Sequence, residues 1–191
     1  MFSPIQLKAY DIVSLAFHVN LSFEPSDREP HFILSVRGKE LEQTEKTAEA
    51  VPFNLDLHTA HTCEVNEEEK QADVYTLLTL EVNSDDDDFK QAPYRIEVSL
   101  GGAFVATRLP DDEKDRQEVF RIIHVNTASV LYGIMRQHVL ELTRQTRFGG
   151  LMLPMLDFRP VIDALEPEKT QKKTRSPRKS KGEARKKASE G

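Results

Sequence analysis

A chain of 191 residues with 38% hydrophobic content and a net charge of -6 has room for one packed domain plus appendages, and a second full domain would be a squeeze. The single cysteine, Cys63, excludes an intrachain disulfide or a cysteine zinc cluster and favours a reducing compartment. No segment approaches a membrane span, and Asp11 interrupts the early apolar residues with only Lys8 positive, so the expectation is a cytoplasmic protein without membrane insertion.

The charge is split along the chain. Residues 167–191 hold ten Lys or Arg and three Glu, which leaves 16 basic against 29 acidic residues before them. The body is thus about -13 and the tail +7. The expected organisation is one domain over 1–166 and a disordered basic tail over 167–191, too poor in apolar groups to fold. An acidic body disfavours nucleic acid as a partner. The tail suits contact with nucleic acid or anionic lipid as well as it suits a solubilising or tethering role.

In chain order, Val13, Leu15, Phe17, Val19, Leu21 and Phe23 alternate with small or polar residues, a period of two that predicts a strand with one face on a core. Pro25, Ser26 and Asp27 end it, and Phe32, Leu34 and Val36 predict a shorter second strand. The polar stretch 38–49 reads as loop or a short exposed helix. Phe53, Leu55 and Leu57, continuing through His61 and Cys63 to Val65, define the next strand, with Asn54, Asp56, His58 and Glu64 opposite. A charged turn at Glu67, Glu68, Glu69 and Lys70 leads into a strand marked by Val74, Thr76, Leu78, Leu80 and Val82, and a turn over 85–88 follows. Tyr94, Ile96, Val98 and Leu100 give another strand, running into Gly101 and Gly102, read as a turn or bulge. Short polar connections cannot carry parallel crossovers, so an antiparallel meander and an α+β class are expected.

Asp111, Asp112 and Glu113 suit a helix N-terminus, and apolar spacing from Val119 to Leu142 predicts one long helix over about 115–144, with Asn126 as a place for a kink. Phe120, Val125 and Tyr132 fall outside its main stripe. A helix on one sheet face needs one stripe, so the extra breadth points to a second surface such as an oligomer interface. Next comes the apolar, Met-rich run from Phe148 to Phe158, broken by Gly149, Gly150 and Pro154 and therefore not a regular helix. Sticky residues on a connection mark either a core plug or a partner site, and unbranched Met adapts to varied partners. A short final helix is expected over 159–165.

Three segments carry a family resemblance. Tyr94-Arg95-Ile96-Glu97-Val98-Ser99-Leu100-Gly101-Gly102-Ala103-Phe104, Ser129-Val130-Leu131-Tyr132-Gly133-Ile134-Met135-Arg136, and Phe148 followed by Leu151 to Phe158 resemble the SecB export chaperones in order and spacing. Asn54 to Ala60 is similar to that family's second strand, and Leu21 to Pro25 more loosely to its first. The likeness spans roughly 51–165. It implies a four-stranded or slightly larger antiparallel sheet with a long helix and a short C-terminal helix on one side, in a tetramer built as a dimer of dimers. It also implies an ATP-independent holdase that binds unfolded preproteins for export and passes them to the Sec motor ATPase. Some SecB-like proteins instead guard the antitoxin of a toxin-antitoxin pair. Gly133 in place of a mid-helix Pro, an apparent insertion over 32–49 and a basic tail depart from the family pattern, and they keep that second reading open beside a third, a basic-tailed nucleic-acid adaptor.

The candidate client groove comprises Phe104, Val105, Tyr132, Met135, Leu151, Met152, Leu153, Met155, Leu156 and Phe158, of which Leu153 and Phe158 also suit a core role. His58 points away from His61 and Cys63 on a strand, so the three do not converge on a metal. The Asp run over 85–88 lacks the spacing and glycine of a calcium loop, and Gly101-Gly102 lacks the continuation of a phosphate loop. No nucleophile, base and orienting acid share local spacing. A binding protein with no enzyme activity, no cofactor and no metal is expected.

Overall fold

The computed structural model describes residues 5–24, 29–36, 39–43 and 50–165. The expected turn at Pro25, Ser26 and Asp27 and the expected disordered tail over 167–191 lie outside the described residues.

The alternating apolar segments form one sheet of six strands, β1 (Ile5–Val19), β2 (Pro30–Val36), β3 (Lys39–Gln43), β4 (Val51–Asn66), β5 (Gln71–Val82) and β6 (Tyr94–Thr107), in the order β1-β6-β5-β4-β2-β3. The class is α+β, as expected, with a long helix and a short C-terminal one. The β4-β5-β6 core is the expected antiparallel meander. Two pairings correct the reading at the edges. β1 pairs antiparallel with β6 rather than with β2, and β2 runs parallel to β4, with Phe32 beside Phe53 and Leu34 beside Leu55. Alternation fixes which residues share a face but not which strand lies alongside. Part of the polar stretch 38–49 is β3, paired with β2.

Of the sheet's two faces, the apolar one is covered. β5 contributes Val74, Leu78, Leu80 and Val82 to it, and β6 contributes Tyr94, Ile96, Val98 and Leu100, all buried. Against them lies the helix α2 (Glu113–Arg144), one unbroken element past Asn126. The Asp112 carboxylate caps it, accepting from the N–H groups of Lys114 and Asp115 at 2.9 and 3.2 Å. A second helix, α3 (Phe158–Leu165), packs on α2 and on β2. Arg121 of α2 holds it by donating from Nε and Nη2 to Asp163, each at 2.8 Å. The Asp run contains a one-turn helix, α1 (Asp86–Lys90), in place of the simple turn expected there.

Gly101 and Gly102 lie inside β6 rather than at a turn. A Cβ on Gly102 would sit 2.8 Å from Leu131 of α2, so the glycine is what lets helix and sheet approach. The irregularities fall on the partner strand, where β1 shifts register between Leu7 and Ala9 and between Ile12 and Ser14.

β1 departs from the half-buried strand expected of it. It ends at Val19, short of Leu21 and Phe23, and it is an edge strand on which Leu7, Tyr10, Ile12, Val13 and Leu15 are all exposed. Leu7, Tyr10, Ile12 and Leu15 sit beside Phe104, Gly102, Leu100 and Val98, so they extend the helix-covered face beyond the helix.

Candidate functional site

The connection from α2 to α3, residues 145–157, is pinned by donors from elements on either side. Tyr94 on β6 donates from its hydroxyl to the Gly149 carbonyl at 2.6 Å. Tyr132, on the inner side of α2, donates to the Pro154 carbonyl at 3.0 Å, and one turn later Arg136 donates from Nε to the Leu153 carbonyl at 2.9 Å. The Leu151 N–H reaches the buried Thr143 hydroxyl at 2.7 Å. Burial pushes both tyrosine phenols above their ordinary range, so each stays a neutral donor. Gly149 adopts the left-handed backbone that ends the helix overhang, at φ 81°.

This pinning sorts the apolar run into inner and outer residues. Leu151, Leu153 and Phe158 are buried, and Phe158 packs on the Tyr132 ring with centroids 5.4 Å apart. Met152 and Met155 face outward at 52% and 80% exposure, while Leu156 is half-buried. Met155 is the more prominent, and its Sδ is touched by Arg136 Nη1.

Beneath the start of the connection lies a cleft of about 180 Å³ lined by Phe23, Val51, Phe53, Tyr94, Phe148 and Leu151, with Arg147 at its rim. Phe148 packs edge-on against Phe23 at 5.6 Å and against Tyr94 at 6.1 Å. The Arg147 guanidinium covers the Phe148 ring at 4.6 Å and donates to the carbonyls of Leu21 and Phe23, joining the segment after β1 to the connection. The site is therefore an aromatic cleft beside two outward methionines on a fixed backbone. Its lining residues offer apolar contact and no paired acid and base.

Of the ten residues expected to line a groove, Leu151 lines the cleft, Met152 and Met155 are exposed further along the connection, and Leu156 is half-buried on it. Tyr132, Met135, Leu153 and Phe158 support the connection from within the core; Met135 is fully buried. Phe104 and Val105 stand apart. They lie at the far end of β6, about 30 Å along the strand from Tyr94 at the usual rise per residue, and adjacent strand residues face opposite sides. Sequence reasoning left Phe23, Phe53, Tyr94 and Arg147 out of the site because the aromatics read as core strand residues. The signal that pointed to them was Phe148, an aromatic just after a helix end.

His58 and His61 emerge on opposite sheet faces, since His58 pairs with Thr79 on the open face and His61 with Thr76 on the helix side. Among the described residues, no helix is long and apolar enough to cross a membrane.

No protein-family model matches this chain, and no curated protein does. Among solved structures it is similar to the SecB-like chaperone of Mycobacterium tuberculosis in complex with a ChAD peptide from the HigA1 antitoxin, at 15% identity over 80% of this chain and 90% of that one, with a TM-score of 0.41. It is also similar to a protein of unknown function from Streptococcus agalactiae, at 12% identity over 81% of this chain and 99% of that one, with a TM-score of 0.48.

Proposed function

We propose that the protein is an ATP-independent cytosolic chaperone that holds an extended apolar segment of another protein against the 145–157 connection. One observation carries this reading: the connection is fixed to its own chain through backbone carbonyls and inner side chains, which leaves Met152 and Met155 exposed to a partner, with Arg136 against the Met155 sulfur. A mobile plug would bury its methionines; a preorganised one presents them at little ordering cost. The aromatic cleft alongside takes an apolar side chain of the bound segment.

Two client ranges compete. The cleft, at about 180 Å³, is smaller than the roughly 300–1,000 Å³ of a small-molecule pocket and takes one or two side chains. A dedicated antitoxin and a broad set of export precursors handed to the Sec motor ATPase both supply such side chains, and the captured client decides between them. The protein acts by mass action on a client, with no hydrolysis, cofactor or metal in the cycle.

The exposed apolar residues of β1 further support self-association. A long edge strand carrying Ile12, Val13 and Leu15 in water is a ready template for a second copy, and the tetramer implied by the SecB resemblance supplies one.

Crosslinking from a photoreactive residue at position 152 in cells, followed by identification of the captured chains, tests the reading. One small partner supports the dedicated form, and many export precursors support the general one. If no client is captured and the purified protein fails to slow aggregation of an unfolded substrate without ATP, the chaperone reading is wrong.

A further inference from the structure

Where α2 crosses the β4-β5 hairpin, the otherwise apolar interface contains a chain of polar groups. Thr59 and His61 of β4, Thr76 of β5 and Thr127 of α2 are joined in series, and Thr76 and Thr127 are fully buried. The direction of the chain is set from its far end. Thr127 donates to the His124 carbonyl at 3.1 Å, so it accepts from the Thr76 hydroxyl at 2.9 Å. Thr76 in turn accepts from Nδ1 of His61 at 3.0 Å, which leaves Nε2 as the acceptor for the Thr59 hydroxyl at 3.1 Å. Every hydroxyl hydrogen is committed, and the chain selects the neutral imidazole with its proton on Nδ1. On its face the His61 ring is stacked on that of His124, with centroids 4.2 Å apart and planes within 8°.

We propose that this series is an acid-sensitive latch, which joins α2 to the β4-β5 hairpin when His61 is neutral and releases it when His61 gains a proton. A proton on Nε2 forces the Thr59 hydroxyl to turn away and sets a cation against a second imidazole in a desolvated interface. Burial first, and His124 second, hold the His61 imidazole down at about 4 from its ordinary 6.5. The neighbouring charges do not offset this. Arg121, one turn earlier on α2, is held by Asp163 of α3 and lies 3.7 Å from Glu118. Cys63, two residues along β4, stays a neutral thiol because burial, and then the charge of Asp73, push it up.

The sign follows from the lowered value. The latch contributes fully above pH 6.5, and its contribution falls as the pH drops from 6.5 towards 4, because the open state binds the proton and the closed state resists it. Besides the apolar packing, the hairpin's turn is held by ion pairs: Arg116 grips Glu67 through two bonds of 2.6 and 2.9 Å, and Lys70 reaches Asp111 at 2.8 Å. Burial of a polar series in this place costs stability relative to apolar packing, which a purely structural contact between helix and sheet would not require.

Amide hydrogen exchange on the full chain, corrected for the intrinsic pH dependence of exchange, tests the latch. Between pH 7.5 and 5 the opening equilibrium over 123–128 of α2 should rise roughly ten- to thirtyfold, while that over 139–143 of the same helix changes less than twofold. In His61→Gln, which can still donate and accept, the rise over 123–128 should vanish. Equal acceleration along the whole helix, or an undiminished rise in the variant, overturns the proposal. Should the variant fail to fold, titration of the imidazole signals in the unaltered protein decides. A His61 ring that titrates together with the exchange step supports the latch, and one that titrates apart from it overturns it.

Discussion

Met152 and Leu153 are adjacent and chemically alike, yet the structure assigns them opposite work. Leu153 is fully buried with its carbonyl held by Arg136, whereas Met152 is half in water and Met155 almost wholly so. Replacing Met152 and Met155 together with Ser removes apolar surface from the outer side only. The unfolding free energy should change by less than about 1 kcal/mol, since exposed substitutions away from buried networks cost little. Client crosslinking should nevertheless fall severalfold. Leu153→Ala should do the reverse, costing about 2–5 kcal/mol in chemical denaturation through the cavity it leaves. The sequence showed an apolar run broken by Gly149, Gly150 and Pro154 but not its inner and outer sides, because those breaks erase the regular period from which a face is read. Sidedness here comes from the hydroxyls of Tyr94, Tyr132 and Thr143, donors or acceptors that lie eight or more residues away in the chain.

At the scale of elements, every strand but the polar β3 and both main helices were legible because their periods are strong. Pairing was not. The apolar residues of β2 match those of β4 equally well in either direction, and only the chain path sets them parallel. β1 illustrates the opposite failure. Its alternation looked like that of a strand half on a core, but the core ends at the edge of α2, and the surplus faces water. The breadth of α2 is taken up in part within the chain, where Tyr132, outside the main stripe, turns inward to the connection, while Val130 on the main stripe is exposed at 44%. If β1 and this side of α2 meet a second copy, Ile12→Lys with Leu15→Lys should halve or quarter the mass seen in sedimentation. The melting temperature of the separated subunit should change little, because neither side chain is buried within its own chain. A variant that keeps the mass of the unaltered protein would remove β1 from the interface.

At the scale of the whole molecule, charge divides the chain into an acidic body and a basic tail. The body before residue 167 is about -13, and the last 25 residues bring it to -6 overall. The proposed client site uses apolar contact on the body, so it should be insensitive to the tail. Contact with a polyanion, in contrast, can come only from the tail, since a phosphate backbone meets repulsion from the body. Deleting 167–191 separates the two. Client capture at position 152 should persist within a factor of two. Any retention of the full chain on single-stranded DNA or on anionic vesicles should fall steeply with salt, each phosphate contact steepening the logarithmic slope by about 0.7–0.9 on nucleic acid, and should disappear in the shortened chain. Loss of client capture on the same deletion would place part of the client surface on the tail, and the cleft under Phe148 would then be only one end of a longer site.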